Sequence, residues 1–368
     1  MAGRIVLFGA TGYTGELTAR ALARRDARPV LAGRNRERLG RLAEELGGLE
    51  TAVADVAAPA TVRSLVEAGD VLVSTVGPFA RWGEPAVRAA IDARASYLDS
   101  TGEPAFIRRV FEEFSPKADR GGTGLVTAFG YDFVPGNLAG ALALRDAGEQ
   151  TRRVDVGYFT TGGGLGGFSG GTRASAAGAL IEPGFVWRDR IRTERGAARV
   201  RSFELDGRKR PAMSIGSSEH FALPRLQPRL KEVNAYLGWF GRATRAMQAF
   251  SMASAPLLRL PGARSGTRRV VRRFVQGSTG GPGEEERAGT GSEIVAIAYG
   301  PDAQPLAEVR VAGANGYEFT ADILAWGATR CAESGLHGTG ALGPAEAFGL
   351  EQLEAGCSEA GLDTIPRL

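Results

Sequence analysis

Lysine, histidine and cysteine are scarce in this chain, and each scarcity closes off a chemistry. The 45 lysines and arginines include only three lysines, Lys117, Lys209 and Lys231, and none stands four residues after a tyrosine. That spacing would bring both side chains to one helix face, so the Tyr-Lys acid pair of short-chain reductases is excluded. His220 and His337 are the only histidines, which leaves no set for a metal-dependent dehydrogenase and a poor basis for a Ser-His-Asp triad. Gly167-Phe168-Ser169-Gly170-Gly171 lacks the strand-to-helix setting of a nucleophile elbow. Cys331 and Cys357 are too far apart for a Cys-x-x-Cys site and too few for a disulfide framework, so a reducing, cytoplasmic location is expected. A long apolar run is also missing. The most apolar window, 125–144, contains Asp132, Pro135, Gly130 and Gly136 and reads as strand, turn and helix rather than a membrane span. The first residues lead straight into an apolar strand, without the parts of a secretion signal. A formal net charge of +4 and the lack of any recognition motif argue against nucleic acid as a partner.

What is present is an alternation. Short β-branched runs at 4–8, 29–32, 51–54, 71–74, 96–98 and 124–128 are separated by segments such as 37–46 and 84–93, whose apolar positions recur at helical spacing. Strands and helices alternating at this interval build βαβ units, so the expected fold class is α/β, a Rossmann-type doubly wound parallel sheet. Beyond Thr151 the strands lengthen (153–161, 199–205, 292–299, 306–311), and glycine clusters appear at 162–171 and 277–291. This half reads as a largely antiparallel α+β substrate domain, with a mobile hairpin tip at 277–291. Helices are expected at 317–333 and 344–360. With 368 residues, more than one core is required. The expected division is an NADP(H)-binding domain at 1–148, a substrate domain at 149–316 and C-terminal helices at 317–368.

The first strand runs into Gly9-Ala10-Thr11-Gly12-Tyr13-Thr14-Gly15 and then a helix beginning near Glu16. Glycines in this setting let the backbone approach a pyrophosphate, which free N–H groups at the helix start then hold. NAD enzymes place an acidic residue at the end of the second strand for the ribose 2′-hydroxyl. Here the position reads Ala32-Gly33-Arg34, and a guanidinium suits the 2′-phosphate of NADP(H). Asp55 follows the third strand and is a candidate for the adenine edge or for a helix cap. Thr75, Gly77 and Pro78 follow the fourth strand and are candidates for the nicotinamide end.

These motifs resemble those of the saccharopine dehydrogenase-like oxidoreductases, and within them the trans-acting enoyl reductases. The resemblance rests on 9–15, Ala32-Gly33-Arg34, 75–79, Tyr97-Leu98-Asp99-Ser100-Thr101-Gly102-Glu103, Gly130-Tyr131-Asp132-Phe133-Val134-Pro135, Phe168-Ser169-Gly170-Gly171-Thr172, Gly316-Tyr317 and Thr320-Ala321. One departure is Asn137, where the pattern carries an acid. The resemblance implies an NADPH-dependent reductase acting on an activated C=C of a hydrophobic or acyl-carrier-bound substrate. The alternatives are a C=N reductase, or an NADP(H)-binding redox sensor without turnover. Enoyl reduction needs a donor for the enolate oxygen and an acid for the α-carbon. Candidate catalytic residues are Tyr131, Asp132, Ser169 and Thr172, each with a structural alternative in a turn or a cap. Asp99 and Glu103 stand where a carboxylate serves either as a base or as a turn residue. The apolar stretch 236–260 suits core or a greasy pocket wall. Beside it, Arg259, Arg264, Arg268, Arg269, Arg272 and Arg273 suit a carrier protein, a phosphopantetheine phosphate, an anionic membrane face or plain solvent. A homodimer is compatible with all of this.

Overall fold

The computed structural model describes residues 3–162, 184–195, 197–241, 243–254 and 280–365. The chain forms two units: 1–102, 106–138 and 314–363 make the first, while 103–105, 139–313 and 364–368 make the second. The C-terminal helices therefore belong to the first unit, where the sequence reading set them apart as a third segment.

The first unit is a parallel sheet of seven strands. They are β1 (Ile5–Phe8), β2 (Val30–Gly33), β3 (Thr51–Val53), β4 (Val71–Ser74), β5 (Ser96–Asp99), β6 (Gly124–Val126) and the late β15 (Gly340–Ala341), in the order β15-β6-β5-β4-β1-β2-β3. Reading from β3 to β6, this is the 3-2-1-4-5-6 order of the doubly wound nucleotide fold, with one strand added by the C-terminal segment. β1, β2 and β4 are buried along their whole length, as strands covered on both faces must be. Helix α1 spans Tyr13–Arg24 and starts three residues before the expected Glu16, because Gly12 already adopts the extended cap conformation. Helix α2 is Arg36–Glu45, with the Asn35 side chain accepting from Arg38 N. Helix α3 is Val134–Ala147.

Helix α4, Gly316–Ser334, packs against α1 and against the sheet. The single helix expected at 344–360 is broken in two, Pro344–Phe348 and Leu350–Glu359. Between them Gly349 has φ +82°, where a side chain is strained. The second of these helices lies directly on α4: a Cβ on Gly356 would fall 2.4 Å from the buried Trp326 ring.

The second unit is a largely antiparallel sheet, as expected, with one parallel pair that makes it mixed. β7 (Arg153–Thr161) pairs in parallel with β12 (Glu232–Leu237) and antiparallel with β13 (Gly291–Tyr299). β10 (Val200–Leu205), β11 (Arg208–Ile215) and β14 (Pro305–Gly313) extend it to either side. The sheet is curled, since β10 and β14 are not neighbours in strand order and yet Arg310 Nη2 donates to Glu204 O at 3.0 Å. Phe159, Phe203, Tyr236 and Val295 form a core cluster inside the curl. In place of the expected hairpin tip, the described part of 277–291 holds a short helix, Glu284–Ala288. Its three leading glutamates match the positive end of the helix. No described helix is long and apolar enough to cross a membrane. The arginine-rich stretch 259–273 and the glycine cluster 163–171 lie outside the described residues.

Because the buried Trp326 ring also packs on Phe129 and Phe348, Gly356→Val is expected to cost about 1–3 kcal/mol of stability through overpacking. The check is a thermal melt, with a fall of several degrees expected in the variant.

Candidate functional site

The candidate site is built in the first unit, along the edge where the parallel strands end. Ligands bind at this edge in open α/β sheets, because loops diverge there and helices begin. The crossing between β1 and α1 is as tight as backbone allows. A Cβ on Gly15 would lie 2.1 Å from the Gly9 carbonyl oxygen, and one on Gly9, at φ +95°, would lie 2.6 Å from Thr75 Oγ1. Gly12 N donates to Gly9 O at 2.9 Å and Glu16 N to Gly12 O at 2.8 Å. No side chain caps α1, so its first N–H groups around Tyr13 and Thr14 are not spent on a cap. This is the cradle that a pyrophosphate requires, and the residues fit a dinucleotide.

The other cofactor candidates fall around this loop. Thr75 holds β4 to it, Oγ1 donating to Gly9 O at 3.2 Å, and the exposed Gly77 and Pro78 follow on the same strand end. Thr11 lies beside the end of β2, since a Cβ on Gly33 would be 3.7 Å from Thr11 Oγ1. Arg34 projects from that strand end, exposed. Asp55 stands after β3, where its Oδ1 accepts from Ala57 N at 2.9 Å in a local turn. The helix cap that was its alternative role belongs to Ala58. Sequence reasoning missed Arg38, whose Nη2 donates to Thr11 O at 2.8 Å. The available signal was its position four residues after Arg34.

Tyr131 and Asp132 follow β6 at the same edge. Tyr131 is buried, its N donates to Thr320 Oγ1 at 2.9 Å, and a Cβ on Gly316 would be 3.0 Å from its ring. The start of α4 thus fixes this turn, a role that Gly316, Tyr317 and Thr320 showed in sequence only as a motif. Tyr317 also meets Tyr13 edge to face at 5.2 Å. Asp132 lies against the Gly102 backbone: a Cβ there would be 2.4 Å from Oδ2. Its Oδ1 is buried with no hydrogen-bond partner, and burial pushes the carboxyl up to about 7.

Asp99 has a different role. It is fully buried and accepts from Thr101 N at 2.9 Å, Ala128 N at 3.0 Å and Thr127 Oγ1 at 2.8 Å, tying the ends of β5 and β6 together. Burial raises its carboxyl to about 6 against the pull of those bonds. Asn137, the departure noted in sequence, donates Nδ2 to Phe133 O at 2.8 Å, just before the start of α3. Ser169 and Thr172 lie outside the described residues. Among the described residues no cluster of histidine, cysteine or acids could hold a metal ion.

Residues 5–126 match the family model of the saccharopine dehydrogenase NADP binding domain. A Mycobacterium tuberculosis protein provisionally named a trans-acting enoyl reductase is 41% identical over 184 residues, 46% of this chain and 42% of the relative. A trans-acting enoyl reductase of Mycobacterium ulcerans is 41% identical over 152 residues, 40% of this chain and 36% of the relative. The matches span less than half the length of these relatives. Among solved structures, saccharopine dehydrogenase (L-Glu forming) of Saccharomyces cerevisiae aligns over 99% of this chain and 100% of its own. Its TM-score is 0.62 at 13% identity, which shows a common fold.

Removing the Arg34 guanidinium is expected to weaken NADPH binding about 10- to 100-fold, the size of one charge-assisted hydrogen bond, and to leave NADH nearly unchanged. Fluorescence titration of Arg34→Ala with both cofactors checks this, and equal losses would contradict it.

Proposed function

We propose that this chain, whose residues 5–126 belong to the saccharopine dehydrogenase NADP binding domain family, is an NADPH-dependent reductase of an activated C=C bond. The substrate class proposed is an enoyl group on a hydrophobic or acyl-carrier-bound molecule. When bound, NADPH supplies the hydride. The chain's own residues hold the pyrophosphate on the 9–15 loop and the 2′-phosphate at Arg34, and they provide a proton. Hydride and proton together add two electrons and two hydrogens across the double bond, leaving NADP⁺ and a saturated acyl group.

The observation that carries this reading is Asp132. An ordinary aspartate is ionised at neutral pH and cannot act as an acid. Here burial without a partner for Oδ1 raises the carboxyl to about 7, which supports Asp132 as the acid that quenches the enolate carbon. Tyr131 is held beside it as a candidate donor to the enolate oxygen. The names of the two mycobacterial relatives support the enoyl group as acceptor.

Two outcomes test the proposal. With 4-deuterated NADPH and a crotonyl thioester, deuterium is expected at the β-carbon and a solvent proton at the α-carbon. Transfer only when an amine and a carbonyl are supplied together would instead establish the C=N reading, which the same carboxyl would also serve.

The pH dependence follows from Asp132. Its folded pKa is raised above the ordinary value of 3.8, so turnover is expected to fall as pH rises through about 7 and the proton is lost. The same shift stabilises the fold below pH 4, and that contribution disappears as pH rises from about 4 to 7. Asp132→Asn is expected to lower kcat about 10²- to 10⁴-fold, abolish the alkaline limb, keep NADPH affinity and melt higher than wild type at pH 8. A pH–rate profile with paired melts measures all of these.

A further inference from the structure

The turn that carries Asp132 is gripped from two sides, each time across a glycine. On one side its carboxyl lies on Gly102, after β5, where a Cβ would fall 2.4 Å from Oδ2 and 3.2 Å from Cγ. On the other side stands the start of α4. A Cβ on Gly316 would be 3.0 Å from the Tyr131 ring, and one on Gly130 would be 2.9 Å from Thr320 Cγ2. A methyl group at Gly102 therefore forces something to move. What stands in its way is the end of a side chain rather than backbone, so the carboxyl gives way and the fold does not.

Thr320 holds the backbone of the same turn. Its Oγ1 accepts from Tyr131 N at 2.9 Å and donates to Gly316 O at 2.7 Å, so one hydroxyl joins the residue before Asp132 to the first turn of α4. A backbone N–H in a buried turn needs an acceptor. Here a half-buried side chain 189 residues away in the chain supplies it.

We propose that Gly102 and Thr320 are positioning residues for Asp132. The bare backbone of the first gives the carboxyl its seat, and the hydroxyl of the second fixes the turn that delivers it there. The inference deepens the reading of Asp132 as the acid and rests on it. The titratable groups on the three segments are Asp99 and Glu103 around Gly102, Tyr131 beside Asp132, and Tyr317 and Glu318 at the start of α4. None is a cation, and burial is what raises the Asp132 carboxyl. Filling the seat or slackening the turn lets water reach the buried Oδ1, and the carboxyl then returns toward its ordinary value of 3.8.

Carbon-13 NMR of the aspartate carboxyls, with Asp132→Asn identifying the Asp132 signal, reads this titration directly and needs no substrate. Wild type, Gly102→Ala, Thr320→Val and Thr320→Ser are compared, with Gly356→Val as a variant destabilised elsewhere in the first unit. A melt confirms that each is folded. The expected result is a midpoint lower by about one pH unit or more in Gly102→Ala and Thr320→Val. The alkaline limb of kcat should move down with it, and NADPH affinity should stay unchanged. Thr320→Ser keeps the hydroxyl and is expected to titrate like wild type, as is Gly356→Val. A wild-type midpoint in Gly102→Ala or in Thr320→Val would overturn the role of that residue, and failure of either variant to fold would count against a role confined to positioning. An equal shift in Gly356→Val would overturn both roles. Titration of wild-type Asp132 near its ordinary 3.8 would instead overturn the reading of Asp132 on which the proposal rests.

Discussion

The close approach of Gly9 and Gly15 is the constraint on which the site depends. With 2.1 Å between the Gly9 carbonyl oxygen and the place of a Gly15 Cβ, no other residue fits without moving the start of α1. That contact sets the helix against the end of β1 and leaves its first N–H groups free of side-chain caps. It also brings Thr11 within reach of Arg38 and the Gly9 carbonyl within reach of Thr75. The ends of β1, β2 and β4 thus form one surface, held by backbone oxygens that accept from side chains of neighbouring segments.

A second centre lies where β5 and β6 end. Asp99 spends its carboxylate on two backbone N–H groups and a threonine, and so holds the turns after β5 and β6 together. Those turns carry Gly102 and Asp132, whose contact leaves one carboxyl oxygen buried and unpartnered. Two aspartates at one sheet edge therefore differ in their partners. Asp99 accepts three hydrogen bonds, whereas Asp132 keeps one buried oxygen without a partner, and burial raises both carboxyls. The start of α4 presses on Tyr131 from the side, so the late segment 314–363 takes part in shaping the turn.

Much of the nucleotide unit was legible in the sequence, because buried parallel strands appear as short apolar runs and glycine loops have fixed spacing. β1, β2 and β4 lie within a residue of where the pattern put them, and Arg34 stands at the end of β2 as expected. What was not legible depends on long-range contact. No local pattern says that α4 packs on α1, that β15 joins β6, or that β12 runs parallel to β7. The break at Gly349 was visible only as one glycine in a helical run. The raised carboxyl of Asp132 was equally hidden, since it arises from burial in the fold, which packs the side chain against Gly102 thirty residues away in the chain.

On the function proposed, this sheet edge binds NADP(H) and selects it by the 2′-phosphate. The most direct test is titration of the full chain with NADPH and with NADH, following nicotinamide fluorescence and protein melting together. Saturable NADPH binding that raises the melting temperature, with NADH at least 10-fold weaker, is expected. Binding of neither cofactor, or equal binding of both, would contradict it.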